Sequence, residues 1–154
     1  MDSSYFDGLD ANYIKALRDT LQADLARKHI KHFFKLIKPE NVINWHHAII
    51  LDTIQDFIEK KIKNLIISIP PQIGKSEIAS RTLPAYLLGL NPKARIIAAS
   101  YNLTNSKKFN RDVQRIIDSD AFKIAFPDVT LSGETVSSKK DGSWLRNAEE
   151  FEIV

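Results

Sequence analysis

The hydrophobic positions of the first forty residues step by four: Leu9, Tyr13, Leu17, Leu21 and Leu25, with Ile14 beside them. That spacing draws one stripe along a helix. Asp10 and Asn12 stand where capping residues belong. The pattern runs on through Ile30, Phe33, Phe34 and Ile37, and predicts a long helix that Pro39 ends. Residues 1–8 carry no such pattern and are expected to fray. A second helical pattern follows Asn44-Trp45-His46-His47: Ile49, Ile50, Ile54, Phe57, Ile58 and Ile62. Then the period changes. Leu65 to Ile69 is short, apolar and β-branched, which predicts a buried strand stopped by Pro70 and Pro71.

Glu77 to Leu88 reads as a helix, with Gly89 as its C-terminal cap and Pro92 as its stop. Ala94 to Ser100 reads as a second strand, so the strand–helix–strand unit predicts a right-handed crossover between parallel strands. Thr104 is the expected N-cap of an amphipathic helix. It buries Phe109, Val113, Ile116 and Ile117 and turns Lys107, Lys108, Arg111 and Arg115 outward. Asp118 to Phe126 is a short helical or irregular piece before Pro127. Val129-Thr130-Leu131, Thr135-Val136-Ser137, Ser143-Trp144-Leu145 and Phe151 to Val154 read as short strands, parted by Ser132-Gly133 and Asp141-Gly142. The sum is an α/β domain over residues 41–154, preceded by a helical extension over residues 1–40.

Composition narrows the chemistry. The chain has 154 residues, 44% of them hydrophobic and 27% charged, which suits one domain with a core. It has no cysteine, which excludes disulfides, thiolate metal sites and cysteine nucleophiles. No apolar run reaches 18 residues and Met1-Asp2-Ser3-Ser4 is polar, so neither a membrane span nor a signal peptide is expected. The net charge of +3 permits a polyanionic partner without requiring one. Arg27, Lys28, Lys31, Lys35 and Lys38, with His29 and His32 among them, have two readings. They form a phosphate-contacting face, or a solvated face whose cations sit near a helix C-terminus, where the dipole favours them.

Chemistry concentrates at Ile69-Pro70-Pro71-Gln72-Ile73-Gly74-Lys75-Ser76-Glu77. A loop running into a helix N-terminus turns backbone N–H groups outward, toward a site that favours an anion. Gly74 allows close backbone approach, Lys75 can bring a point charge to β- and γ-phosphates, and Ser76 can ligate magnesium. The pattern G-x-x-x-x-G-K-[ST] is met except at its first glycine, where Ile69 stands. Trp45, some thirty residues upstream, could stack on an adenine or pack in the core. His46 and His47 are adjacent, diverge by about 100° on a helix, and make a poor joint metal site. A nucleotide hydrolase also needs an acid on a later strand. Ala48-Ile49-Ile50-Leu51-Asp52 matches as a string, but it precedes the loop and lies in a helical pattern. Glu77 reads as a helix N-terminal acid, its side chain leaving the first turn in a different direction from the loop.

Three segments carry a family resemblance: Ile66 to Glu77, Ile97-Ala98-Ala99-Ser100-Tyr101-Asn102, and Phe109-Asn110-Arg111-Asp112-Val113. With Gly142-Ser143-Trp144 and Glu150 to Val154, they are similar to the N-terminal ATPase domain of the large terminase subunit of tailed bacteriophages, over about residues 42–154. The Pro-Pro loop is fairly specific to that family. The resemblance implies an incomplete three-layer P-loop fold of the ASCE type. It implies ATP and Mg2+ as cofactors, and ATP-driven packaging of double-stranded DNA in the cytoplasm of a bacterial host. The implied partners are DNA, a small terminase subunit and a portal protein; no membrane is implied.

Carried over residue by residue, Pro71, Gln72, Ile73, Gly74, Lys75 and Ser76 form the nucleotide loop. Lys75 and Gln72 take the catalytic positions, Ser76 holds the metal, and Trp45 and His46 resemble the segment near the adenine. The family has arginine where this chain has Gln72, and glutamine cannot supply that charge. The family also continues past Val154 into a glycine-rich stretch, an acidic strand and a nuclease domain. The expectation is therefore a terminase fragment that binds ATP without turning it over. Two other readings stay open: another P-loop DNA translocase, or a non-catalytic helical module that holds a partner on its basic face.

Overall fold

Asp10 caps the first helix, α1 (Ala11–Lys28), its carboxylate accepting the Asn12 N–H at 3.1 Å. The computed structural model describes residues 10–131 together with Phe151 and Ile153. Residues 1–9, residues 132–150, Glu152 and Val154 lie outside the described residues, and with them the expected fraying of residues 1–8 and the expected strands at 135–137 and 143–145. The stripe of α1 does not face the core as expected. Tyr13, Leu17, Leu21 and Leu25 stand in solvent, while Ala23 and Ala26 are buried. Small residues let α1 lie close against its neighbours, and the leucine ridge is left on the outside.

The long first helix is also interrupted. α1 stops at Lys28, and α2 (Ile30–Ile37) starts afresh with His29 as N-cap, its Nδ1 accepting the Lys31 N–H. The buried side chain of Gln55 makes the break. Its Oε1 accepts the Ile30 N–H at 3.0 Å and its Nε2 donates to the Lys28 carbonyl at 3.3 Å, bonds made in place of helical ones. α2 ends ahead of Pro39, as proline dictates. α3 (Trp45–Ile58) opens with a capping box of Asn44 and His47. It closes when Lys60 takes φ of 63° and the Lys61 N–H returns to the Asp56 carbonyl, a Schellman turn. Ile62 is therefore outside the helix.

The Ile78 N–H bonds the Gly74 carbonyl, which starts the next helix at Lys75. A π-helical segment, Glu77–Thr82, runs directly into α4 (Leu83–Leu90). The wide turn lies just before Pro84, which has no N–H to give. Gly89 is not the cap. It lies inside α4, where a Cβ would stand 2.5 Å from the Phe126 ring, and Asn91 ends the helix. α5 (Leu103–Asp118) is capped by Asn102 rather than Thr104, since the Asn102 carboxamide accepts the Thr104 N–H at 2.7 Å. Ser119 caps α6 (Asp120–Ala125).

One hydrophobic core joins these helices. Phe33 of α2, Tyr86 of α4 and Phe122 of α6 meet Phe126, with ring centroids 5.2 to 6.1 Å apart. Ile50, Leu51 and Ile54 add the face of α3, and Val113, Ile116 and Ile117 that of α5. Each such side chain contributes on the order of 2 kcal/mol by leaving water. The Tyr86 hydroxyl donates to the Arg27 carbonyl at 2.8 Å, and burial, with the nearby Glu59 charge, pushes its pKa up to about 12.

The α/β expectation is overturned. No strand ladder or sheet forms among the described residues, so they do not make a three-layer P-loop fold. Leu65 to Ile69 belongs to no helix or strand, with Leu65, Ile67 and Ile69 packed on the core and Ile66 92% exposed. Ala94 to Ser100 leaves Ile97 94% exposed. β-Branched residues favour a strand-like backbone, but a strand needs a neighbour to take its hydrogen bonds. Helices cover the inner face of 65–69, and the two segments do not pair. Among the described residues of the expected strands at 129–131 and 151–154, Leu131 and Ile153 form one antiparallel bridge.

Candidate functional site

The loop between Ile69 and the helix that begins at Lys75 is bent at two left-handed residues, Gln72 (φ 66°) and Gly74 (φ 84°). The second bend favours glycine twice over: its φ is one that side chains rarely adopt, and a Cβ there would lie 2.9 Å from His47 Nε2. The same Nε2 lies 3.2 Å from the Ile73 carbonyl oxygen. Two turns therefore deliver Lys75 and Ser76 onto the start of a helix, and α3 fastens the bend through His47. The first helical bond goes to Gly74, so the preceding amides of that turn have no helical acceptor.

Beside the loop lies a cleft of about 440 Å³, bordered by Asn41, Asn44, His46, His47, Gln72 and Gly74 among others. The structure thus brings His46, Gln72, Ile73 and Gly74 to one concavity. It leaves Pro71, Lys75, Ser76 and Trp45 off that lining. Pro71 and Lys75 are exposed and Ser76 is half-buried. Trp45 is a surface residue, 77% exposed, edge-on to His46. The donor set of the loop, first-turn amides followed by an exposed ammonium and a hydroxyl, suits a polyphosphate with a magnesium ion. The space above Gly74 is filled by His47, so that face of the glycine is closed to a ligand.

Glu77 places a carboxylate two residues after Lys75, which by itself would repel an anion. Two cations offset it: Lys38 Nζ at 3.6 Å and Arg81 Nη1 at 3.1 Å. Arg81 also donates from Nε to Asp112 at 2.7 Å and lies over the Phe109 ring, 5.1 Å from its centroid. This network ties the loop's helix to α2 and α5. Sequence reasoning passed over Arg81, weighed His47 only as a metal ligand, and placed Glu77 rightly in the first helical turn but pointing away from the loop, whereas it borders the cleft with Gln72 and Gly74. The only available signal for His47 was its place three residues after Asn44, the spacing of a capping box.

The basic residues of α1 and α2 are largely engaged within the chain. Lys28 pairs with Asp24, Lys31 with Asp52 and Lys38 with Glu77. Arg27 donates to the Ala125 carbonyl, and Lys35 to the carbonyls of Pro39 and Asn41. They read as helix-capping and bracing groups more than as a free face for phosphates. Ala48 to Asp52 lies within α3, so that acidic string has no strand beneath it.

The loop is thus a glycine-bent turn that presents lysine and serine at a helix start. The family model described as terminase large subunit, T4likevirus-type, N-terminal, matches residues 66–142, half of the chain. The chain belongs to that family, whose large subunit is a component of a DNA-packaging motor. No curated protein and no solved structure matches it. No described helix is long and apolar enough to cross a membrane.

Proposed function

We propose that this chain is the nucleotide-holding part of a phage DNA-packaging motor, and that alone it binds Mg·ATP without turnover. Gly74, Lys75 and Ser76 hold the phosphates, and the Ser76 hydroxyl ligates the magnesium, which bridges and neutralises phosphate oxygens. The observation that supports this most is the double left-handed bend at Gln72 and Gly74, which feeds Lys75 and Ser76 into a helix start. Absence of turnover follows from two residues. Gln72 carries no charge to place against a developing negative one. Glu77, the only carboxylate lining the cleft among the described residues, is committed to Lys38 and Arg81. Double-stranded DNA, a small terminase subunit and a portal protein are the partners that membership of the family supports.

Thermal unfolding tests this reading. Mg·ATP at about a hundred times its Kd stabilises by about 2.7 kcal/mol, a rise in Tm of roughly 5–10 °C for a chain of this size. Lys75→Ala should abolish most of that rise, and phosphate release should stay at background. An unchanged Tm overturns nucleotide binding; phosphate release that disappears in Lys75→Ala overturns the absence of turnover. A helix-only set of described elements favours a second reading, a non-catalytic module that holds a partner protein, and that reading predicts no nucleotide-induced shift.

A further inference from the structure

We infer that His47 is the positioning residue of the loop: one neutral imidazole, held in one tautomer, sets the bend that presents Lys75 and Ser76. The inference rests on the nucleotide reading above and adds to it the group that shapes the site.

The tautomer follows from the partners. The Asn44 N–H donates to His47 Nδ1 at 3.3 Å, so Nδ1 holds a lone pair and no proton. The single proton of a neutral ring is then on Nε2. That atom faces the Ile73 carbonyl at 3.2 Å, an acceptor only, so it donates there. Each ring nitrogen is thus used once, with the proton where the loop needs it. Nδ1 belongs to the capping box of α3. Nε2 belongs to the loop, twenty-six residues later in the chain.

The clamp also explains the glycine. Residue 74 takes a left-handed φ where the Ile73 carbonyl faces α3, and the imidazole can come that close only if residue 74 has no Cβ. His46, whose ring centroid is 4.0 Å from that of His47, holds the imidazole from the side. Asn44 and His47 are therefore coupled to Gly74 by geometry, although neither carries a phosphate-binding group. The bend is preformed, so binding does not have to order it, and preformed sites bind more tightly for that reason.

Asparagine and glutamine separate the two halves of the imidazole. In His47→Asn, Oδ1 can replace Nδ1 in the capping box, and nothing replaces Nε2. In His47→Gln, the terminal amide can donate to Ile73, and the cap acceptor is lost. The test measures amide hydrogen exchange over residues 73–76 in the full chain, and Mg·ATP affinity by calorimetry, for wild type and both variants. His47→Asn should speed loop exchange and weaken Mg·ATP binding by about tenfold each, the worth of one net hydrogen bond. His47→Gln should stay within about threefold of wild type in both. Wild-type exchange in His47→Asn overturns the clamp. A wild-type chain that does not bind Mg·ATP overturns the nucleotide reading, and the exchange result still decides the clamp. If the variants do not fold, ¹⁵N spectra of the wild-type imidazole decide it: a proton on Nε2 supports the clamp, and a proton on Nδ1 overturns it.

Discussion

Arg81 holds Asp112 across the gap between two helices, its Nε donating to the carboxylate at 2.7 Å, while its Nη1 reaches back one turn to Glu77 at 3.1 Å. Both carboxylates are mostly withdrawn from water, with side-chain exposures of 17% and 25%. The pair therefore differs from an exposed ion pair, whose contribution is usually under about 1 kcal/mol. Removing the cation leaves two acids to find water or lesser partners. Arg81→Ala is expected to destabilise by about 2–3 kcal/mol, read as a lower midpoint in urea at unchanged slope. Arg81→Lys should recover less than half of this, because an ammonium cannot make both planar contacts. A midpoint within error of wild type for Arg81→Ala would show that the bridge carries no stability.

Gly89 sets two effects against each other. In a helix interior, Gly→Ala usually stabilises by about 1 kcal/mol. At this position the new Cβ would lie 2.5 Å from two carbons of the Phe126 ring, and Phe33, Tyr86 and Phe122 surround that ring. Overpacking of this sort costs about 1–3 kcal/mol, and a wedged aromatic ring puts it at the upper end. Gly89→Ala is expected to destabilise by about 1–2 kcal/mol net in chemical unfolding. A stabilised variant would mean that α4 and Phe126 are further apart than described.

His29 makes the α1–α2 junction sensitive to acid. Burial lowers its pKa from the ordinary 6.5; Asp52 opposes that shift, and the nearby charges of His32 and Lys31 add to it. Well above pH 6.5 the ring is neutral in both folded and unfolded chains, and its contribution to stability is complete. Below that, the unfolded chain takes up the proton first, so stability falls as pH drops through 6.5 and on through the lower folded value. Acidification from pH 7.5 to 5.5 should lower the Tm of wild type more than that of His29→Asn, which caps a helix without titrating. Equal losses in the two proteins would remove His29 from the account.

Much of the helical part was legible because its signals are local. Pro39 stops α2, Asn44 opens α3, and the spacing of Val113, Ile116 and Ile117 marks the buried face of α5. The break at His29 was not legible, because Gln55, twenty-five residues after Ile30, supplies the bonds that replace the helical ones. The stripe of α1 misled for a related reason: periodicity identifies an apolar face, but only the neighbours decide whether it is covered. Leu65 to Ile69 is short, apolar and β-branched like a buried strand, and it packs alternate residues on the core. The missing element is a partner ladder, which one segment cannot specify by itself. At the site, residue types identified the loop at Gly74, Lys75 and Ser76, whereas the group that bends it, His47, lies on another helix.

In the function proposed above, the first helical turn after Gly74 holds the phosphates of a nucleotide. Titration of the ¹⁵N-labelled chain with Mg·ATP, followed by amide shifts, tests it most directly. Saturable shifts are expected, centred on Gly74, Lys75, Ser76 and Glu77, with affinity weakened at least about tenfold in Lys75→Ala, the loss of one charge-assisted contact. Saturating Mg·ATP that leaves those four amides unmoved would contradict it.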